Sequence, residues 1–244
     1  MTNLHLPSLI AQAPSLYNEP MFTGIVQTTG KILASDLTPF GRRLSVERAG
    51  LKSPITPGDS ICCSGVCLTA VEITDTTLGF DVIQETLLKT KIGDLAVGDS
   101  LNLEPAVTPS QPLGGHFMQG HVDGLAVVQA IHQDAGECRI TFAPESAYAG
   151  LMDYIIPRGS VAIDGVSLTL ARVGEGTFDV ALIPTTLEET TLSKLVPGAR
   201  VNIEADIISK TIVHQMMRMR DGASDIAGEK PDLNEALRDA GFMK

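Results

Sequence analysis

The sequence predicts a duplicated all-β fold: two tandem antiparallel barrels of about six short strands each, followed by an amphipathic helix. The first observation behind this is a repeat. Ser60, Gly65, Val66, Leu68 and Thr69 recur as Ser160, Gly165, Val166, Leu168 and Thr169. Thr86, Leu87, Thr90, Leu95, Gly98, Asn102 and Glu104 recur as Thr186, Leu187, Thr190, Leu195, Gly198, Asn202 and Glu204. A single offset of 100 residues relates all of these pairs. That period is too long for a solenoid and suits a small domain. The second observation is a succession of short alternating or β-branched runs without long helices between them, which favours antiparallel barrels over a parallel sheet. The third is a change of period near residue 207, where apolar residues begin to recur every three or four positions.

The elements follow in chain order. Strands are expected at Ile25 to Ile32, Leu44 to Val46, Ser60 to Cys63, Leu68 to Ile73, Gly79 to Ile83 and Ser100 to Leu103, separated by turn signals such as Thr56-Pro57-Gly58-Asp59 and Gly98-Asp99. The second copy repeats them at Val122 to Ala130, Arg139 to Phe142, Ser160 to Ile163, Leu168 to Val173, Thr177 to Ile183 and Arg200 to Ile203. Glu85 to Lys91 and Thr186 to Lys194 read as a turn or two of helix. The copies span residues 21–113 and 114–206. Beyond them, Ile208, Ile212 and Met216 form one ridge of a helix over 207–220, poised to pack on its own barrel or to join a subunit interface. Residues 221–244 read as a mobile tail with one short helix around Asp232 to Ala240. Residues 1–20 have no counterpart in the second copy, and Pro7, Pro14 and Pro20 interrupt them. They read as a disordered extension, or as sequence upstream of a true start at Met21, and not as a signal peptide.

Composition narrows the partners. The net charge is −11 with no run of Lys or Arg, which argues against nucleic acid or an anionic membrane. No apolar stretch is long enough to span a bilayer as a helix. The four cysteines, Cys62, Cys63, Cys67 and Cys138, suit reduced thiols in a cytoplasmic protein, and only one lies in the second copy, so no disulfide framework is repeated. Their spacing lacks a paired C-x-x-C, so no metal site is expected.

The chemistry-bearing residues cluster in three places. In Gly65-Val66-Cys67-Leu68-Thr69 and Gly165-Val166-Ser167-Leu168-Thr169, strand alternation puts Cys67 with Thr69, and Ser167 with Thr169, on one face. Such a small polar pair forms a ligand wall or simply fits the barrel's taper. The second place is the strand-to-helix junction, Asp81-Val82-Ile83-Gln84-Glu85-Thr86 and Ala181-Leu182-Ile183-Pro184-Thr185-Thr186, where backbone groups are free to meet a heteroaromatic ligand. The third is the start of each copy, Phe22-Thr23-Gly24-Ile25-Val26 and Met118-Gln119-Gly120-His121-Val122. There His121 replaces an apolar residue and is able to exchange protons near neutral pH. No nucleophile elbow, phosphate loop, dinucleotide fingerprint or zincin motif is present.

Taken together, Met21-Phe22-Thr23-Gly24-Ile25-Val26, then C-L-T, G-H-F-M-Q-G-H-V-D-G, I-D-G-V-S-L-T and L-I-P-x-T-L, resemble the riboflavin synthases of the trimeric alpha type, from Met21 to about Met217. The resemblance implies two Greek-key barrels and a C-terminal helix that assembles a homotrimer. It implies conversion of two 6,7-dimethyl-8-ribityllumazine molecules into riboflavin and a pyrimidinedione, with no metal or redox cofactor. It implies an active site between the first barrel of one subunit and the second barrel of its neighbour, and raises lumazine synthase as a further partner. By motif, Gly24 to Val26, Cys67 to Thr69 and Asp81 to Thr86 are expected to hold the first lumazine, with Phe22 closing that pocket. Gly120 to Val122, Ser167 to Thr169 and Ala181 to Thr186 are expected to hold the second. Ser167, Thr169, Cys67 and His121 are the candidate polar and proton-relay groups, supported by Asp206. Arg158 is a further candidate contact: it stands where many members have lysine, which keeps the charge and changes its geometry. Thr185 stands where an acidic residue or histidine is common. Non-catalytic lumazine- or flavin-binding antenna proteins share the duplicated barrel and need only one competent pocket, so the intact Ser167-Leu168-Thr169 motif favours the enzyme.

Overall fold

The computed structural model describes residues 20–225 apart from 52, 53, 109, 135 and 136. The readings made for the first nineteen residues and for 226–244 therefore lie outside the described residues. In the first repeat β1 (Thr28–Thr38), β2 (Gly41–Glu47), β3 (Ser60–Cys63), β4 (Val66–Ile73), β5 (Thr77–Ile83) and β6 (Ser100–Pro105) close in the order β1-β2-β5-β4-β3-β6. In the second, β7 (Gly124–Asp134), β8 (Glu137–Pro144), β9 (Ser160–Ile163), β10 (Val166–Val173), β11 (Phe178–Leu182) and β12 (Arg200–Ala205) close in the equivalent order. All pairings are antiparallel, and the jump from β2 to β3 and from β8 to β9 makes each barrel a Greek key. Each barrel fills with its own core, around Leu44, Phe80 and Leu103 in the first and around Phe142, Phe178 and Ile203 in the second. The Phe142 and Phe178 rings stack at 5.7 Å.

Two expectations shift for a stated physical reason. The first strand of each copy begins later than its alternation suggests, at Thr28 and Gly124: Gly24 and Gly120 pair with the other repeat, and the chain's backbone bonds to its own barrel begin at Gln27 and Asp123. The bridging helices are also shorter. α1 (Gln84–Lys89) and α2 (Pro184–Glu189) each stop at a threonine, and a 3-10 turn follows. Thr90 and Thr190 donate their hydroxyls back to the carbonyls of Thr86 and Thr186, at 2.7 and 2.6 Å. The next two amides are captured across the molecule: Lys91 N–H by Asn202 Oδ1 and Thr191 N–H by Asn102 Oδ1, both at 2.8 Å. An α-helix needs those amides for its own i−4 carbonyls, so it ends there.

These asparagines belong to a buried junction between the barrels. Asn102 Nδ2 donates to the carbonyl of Asp164, and Asn202 Nδ2 to that of Ser64, at 2.8 and 2.7 Å. Ser64-Gly65 and Asp164-Gly165 form the β3–β4 and β9–β10 turns with positive φ at both positions, the two-residue hairpin geometry that Asp-Gly favours. The turns abut, since a Cβ on Gly165 would lie 2.6 Å from the Gly65 nitrogen. Lys91 reaches across to form an ion pair with the fully buried Asp164. α3 (Ile207–Asp225) leaves β12 directly and touches the 3-10 turn Ser146–Tyr154, with Ile208, Ile212 and Met216 exposed. It extends past the boundary read at residue 220. None of the described helices is long and apolar enough to cross a membrane.

Asn102→Ala strands the Thr191 amide and the Asp164 carbonyl in the buried junction. It should cost about 2–5 kcal/mol of unfolding free energy, measured from the urea midpoint. A cost near zero would show that the barrels do not depend on this junction.

Candidate active site

The strand alternation read from the two motifs is realised. Leu68 and Leu168 point into the barrel cores, while Thr69 and Thr169 are exposed and Cys67 and Ser167 are half-buried on the opposite face. Val82 and Leu182 are likewise core residues, and Ile83 and Ile183 stand exposed. Each repeat thus presents an open shelf, with a small polar pair on one strand and an exposed isoleucine at the neighbouring strand-to-helix junction. Gln84, Glu85, Pro184 and Thr185 are exposed at the ends of the shelves, with Thr86 and Thr186 half-buried behind them.

The grouping of segments differs from the one the motifs implied. Ser167 N–H donates to the carbonyl of Gly24, and Cys67 N–H to that of Gly120, both at 2.9 Å. Val26 packs against the second barrel's core and Val122 against the first. Hence Gly24, Ile25 and Val26 lie beside Ser167 and Thr169, and Gly120, His121 and Val122 lie beside Cys67 and Thr69. The starts of the two repeats are exchanged, tied where they cross by paired hydrogen bonds between Phe22 and Met118. Phe22, expected to close a pocket, is fully buried at this crossing with Met118, Cys62 and Ala162. Both glycines are required: φ is +76° at Gly24 and +73° at Gly120, and a Cβ on either would come within 2.6 Å of the facing strand.

A buried carboxylate clamps each crossing. Glu104 accepts from the amides of Thr23 and Gly24 at 2.7 and 2.9 Å, and from the Thr23 hydroxyl at 2.7 Å. Glu204 accepts from the amides of Gln119 and Gly120 at 2.8 and 3.0 Å. Burial pushes both carboxyl groups above their ordinary range, Glu204 to about 7. Neither was singled out as a site residue, although the retention of Glu104 and Glu204 in both copies was the available signal.

A second histidine, His116, meets the Ser167 shelf. It is buried, and its Nδ1 lies 2.7 Å from Ser167 Oγ. Burial lowers its pKa below the usual value, with Asp206 acting in the opposite direction. His116 is therefore a neutral imidazole at pH 7, able to exchange a proton with the serine. His121, the sequence candidate, is exposed beside the Cys67 shelf and holds no hydrogen bond among the described residues. Asp206 caps α3, its Oδ1 accepting from the Ile208 amide at 2.8 Å. Burial raises the Cys67 thiol above its ordinary pKa, so it is a protonated polar wall and not a thiolate nucleophile.

The remaining candidates have specific settings. Asp81 is held by Arg43 in a bidentate pair, and its counterpart Ala181 carries no charge to hold. Glu85 pairs with Lys89 one helical turn on. Arg158 is exposed and adopts φ +65°, a left-handed conformation at the position of the turn glycine Gly58 in the first copy. A separate cavity of about 420 Å³ between the 3-10 turns that follow α1 and α2, lined in part by Lys91, Lys194 and Arg200, touches none of the shelf residues. Among the described residues, no three His, Cys, Asp or Glu side chains converge as a metal-binding group.

Two barrels with exchanged starts and paired polar shelves define a class of small-molecule binding protein. Residues 23–106 and 119–206 each match the lumazine binding domain. The chain is 42% identical to riboflavin synthase of Escherichia coli over 200 residues, covering 82% of this chain and 93% of that one. It is 33% identical to the Bacillus subtilis riboflavin synthase, covering 88% and 99%. Among solved structures, LumP complexed with 6,7-dimethyl-8-(1'-D-ribityl) lumazine superposes with a TM-score of 0.65 at 22% identity, and LumP complexed with riboflavin with 0.64 at 25%; each covers 75% of this chain and 98% of the other. The chain belongs to the riboflavin synthase family, enzymes of the transferase class built on tandem lumazine-binding domains.

The crossed clamps make a testable distinction. Glu204 adds negative potential at Cys67, so Glu204→Gln should speed alkylation of Cys67 at pH 8, while Glu104→Gln should leave it unchanged. Mass spectrometry of the labelled peptide reads both rates.

Proposed function

We propose that this chain is a riboflavin synthase that dismutates two molecules of 6,7-dimethyl-8-ribityllumazine. One lumazine gives up a four-carbon unit and leaves as 5-amino-6-(D-ribitylamino)uracil. The other receives that unit and becomes riboflavin, so the carbon balances without a third reactant. The observation that carries the reading is the pair of intact shelves: Cys67 with Thr69 and Ser167 with Thr169, each braced by a glycine from the other repeat. Two bound copies of one substrate need two such shelves, and holding them face to face supplies much of the acceleration through proximity.

The shelves differ in the way the reaction requires. One lumazine must lose a proton from its 7-methyl group while the other accepts a nucleophile at C7. Among the described residues, only the Ser167 shelf has a buried neutral histidine hydrogen-bonded to its hydroxyl, so the Ser167–His116 pair is assigned the proton transfer there. The Cys67 shelf, with a protonated thiol and Thr69, holds the partner lumazine through neutral polar contacts. Ile25, Ile83 and Ile183 offer the exposed apolar surface on which a planar ring system rests.

The shelves are open in a single chain, and α3 exposes Ile208, Ile212 and Met216 in one row. A homotrimer held by these helices, with the first barrel of one subunit facing the second barrel of the next, would cover both surfaces. Four free cysteines suit a reducing, cytoplasmic setting. The second reading, a lumazine-holding antenna protein, is favoured by the LumP structures alone. The higher identity to riboflavin synthases and the retention of both shelves support the enzyme.

Incubation with 6,7-dimethyl-8-ribityllumazine alone should yield riboflavin at half the lumazine consumed. Tight binding without turnover would instead make the chain an antenna protein. Ser167→Ala and His116→Asn should each lower kcat by about a hundredfold or more. Unchanged turnover in both would remove the pair from the mechanism. Since burial lowers the His116 pKa, protonation of this pair should affect kcat only below the ordinary histidine range.

A further inference from the structure

The two clamps are equivalent in the duplication and unequal in their support. In the first, Thr23 supplies a hydroxyl to Glu104 in addition to its amide. In the second, Gln119 stands at the equivalent position, and four residues on Asp123 stands where the first copy has Gln27. Asp123 faces α3: Lys210 Nζ donates to Asp123 Oδ1 and Oδ2, both at 2.9 Å, while the amide of Ala205 donates to Asp123 Oδ2 at 2.8 Å. Lys210 lies in the first turn of α3, its amide bonded to the carbonyl of Asp206 at 3.0 Å. Both side chains of the ion pair are mostly buried, at 18% and 24% exposure, which sets this contact apart from an ordinary surface pair.

A continuous path therefore runs from the helix to the substrate shelf. Asp123, paired with Lys210, accepts the amide of Ala205, the residue after Glu204, and both charges act on the Glu204 carboxyl. Glu204 holds the amides of Gln119 and Gly120, and the Gly120 carbonyl accepts the Cys67 amide. We propose that Lys210 is a positioning residue for the Cys67 shelf, keeping Glu204 in the charged form that fixes Gly120 against β4. Through it, the same helix that carries the exposed apolar row is coupled to the geometry of the Cys67 shelf. This role rests on the assignment of that shelf to lumazine.

The electrostatic setting is consistent with a charge balanced near neutrality. Glu204 is pushed up to about 7, chiefly by burial. The groups facing it are Asp123, which raises its pKa further, Lys210, which lowers it, and the amides of Gln119 and Gly120, which also lower it. Cys62 on β3 and Cys67 on β4 feel its charge and are themselves protonated thiols. Ionised, Glu204 accepts from both amides with full charge. Protonated, it loses the charge and one acceptor, so the clamp loosens as pH falls through the folded-state value.

The test is the pH profile of kcat/KM for riboflavin formation, which reports groups of the free enzyme. The unaltered chain should show an acid limb near pH 7. Lys210→Met should move that limb upward by about one unit and lower kcat/KM at pH 7 about fivefold, with recovery at higher pH. Asp123→Asn should move it downward, and Lys210→Arg should leave it in place. Circular dichroism at each pH separates a shifted limb from unfolding. A limb that stays put in both Lys210→Met and Asp123→Asn overturns the proposal, as does loss of activity in Lys210→Met that no pH restores while the fold is intact. If the unaltered chain forms no riboflavin at any pH, the functional reading fails first and this role fails with it.

Discussion

Buried polar groups at the junction of the barrels must find partners, and in this molecule they find them in the opposite repeat. Asn102 and Asn202 each bind a turn carbonyl and a helix-ending amide across the junction, and these four bonds fix how the barrels face each other. An unpaired amide or carbonyl here would cost more than a typical hydrogen bond contributes, so the geometry tolerates little drift. The ends of α1 and α2, the contact of Gly65 with Gly165, and the Lys91–Asp164 pair all follow from it. With the barrels so placed, the start of each repeat lies against the other repeat's polar strand.

Exchange of the starts has a functional consequence. Neither shelf is the property of one repeat, because the glycine that braces each polar strand belongs to the other copy. Duplication supplied two similar surfaces, and divergence made them different. Cysteine stands where the other copy has serine, the buried histidine bonds the serine, and one carboxylate clamp holds a threonine hydroxyl where the other follows an aspartate that is paired with a lysine from α3. A reaction in which two copies of one compound take opposite roles needs that kind of inequality between two otherwise similar places.

Much of this was legible in the sequence because it is local. Alternation and turn residues place Ser60–Cys63 and Ser160–Ile163 at their observed bounds, and the shared offset announces two barrels. The outward direction of Cys67, Thr69, Ser167 and Thr169 follows from strand periodicity alone. What depends on long-range pairing was not legible. Ile25 and Val122 look like the first residues of strands, yet the glycines just before them pair with the other repeat, and no local pattern encodes a partner 143 residues away, as Ser167 is from Gly24. His121 sits beside a motif glycine and is visible in the sequence, while the buried contact of His116 with Ser167 is a tertiary property that no local pattern encodes. The clamps Glu104 and Glu204 were visible as repeated residues, but their role required seeing which amides they face.

The most direct measurement is the number of lumazine molecules bound per chain, titrated at low temperature before turnover sets in and followed by the ligand's fluorescence. Two shelves, each completed by the other repeat, predict two lumazines per chain with unequal affinities. Saturation at one per chain would contradict the account, leaving a duplicated fold with a single working surface.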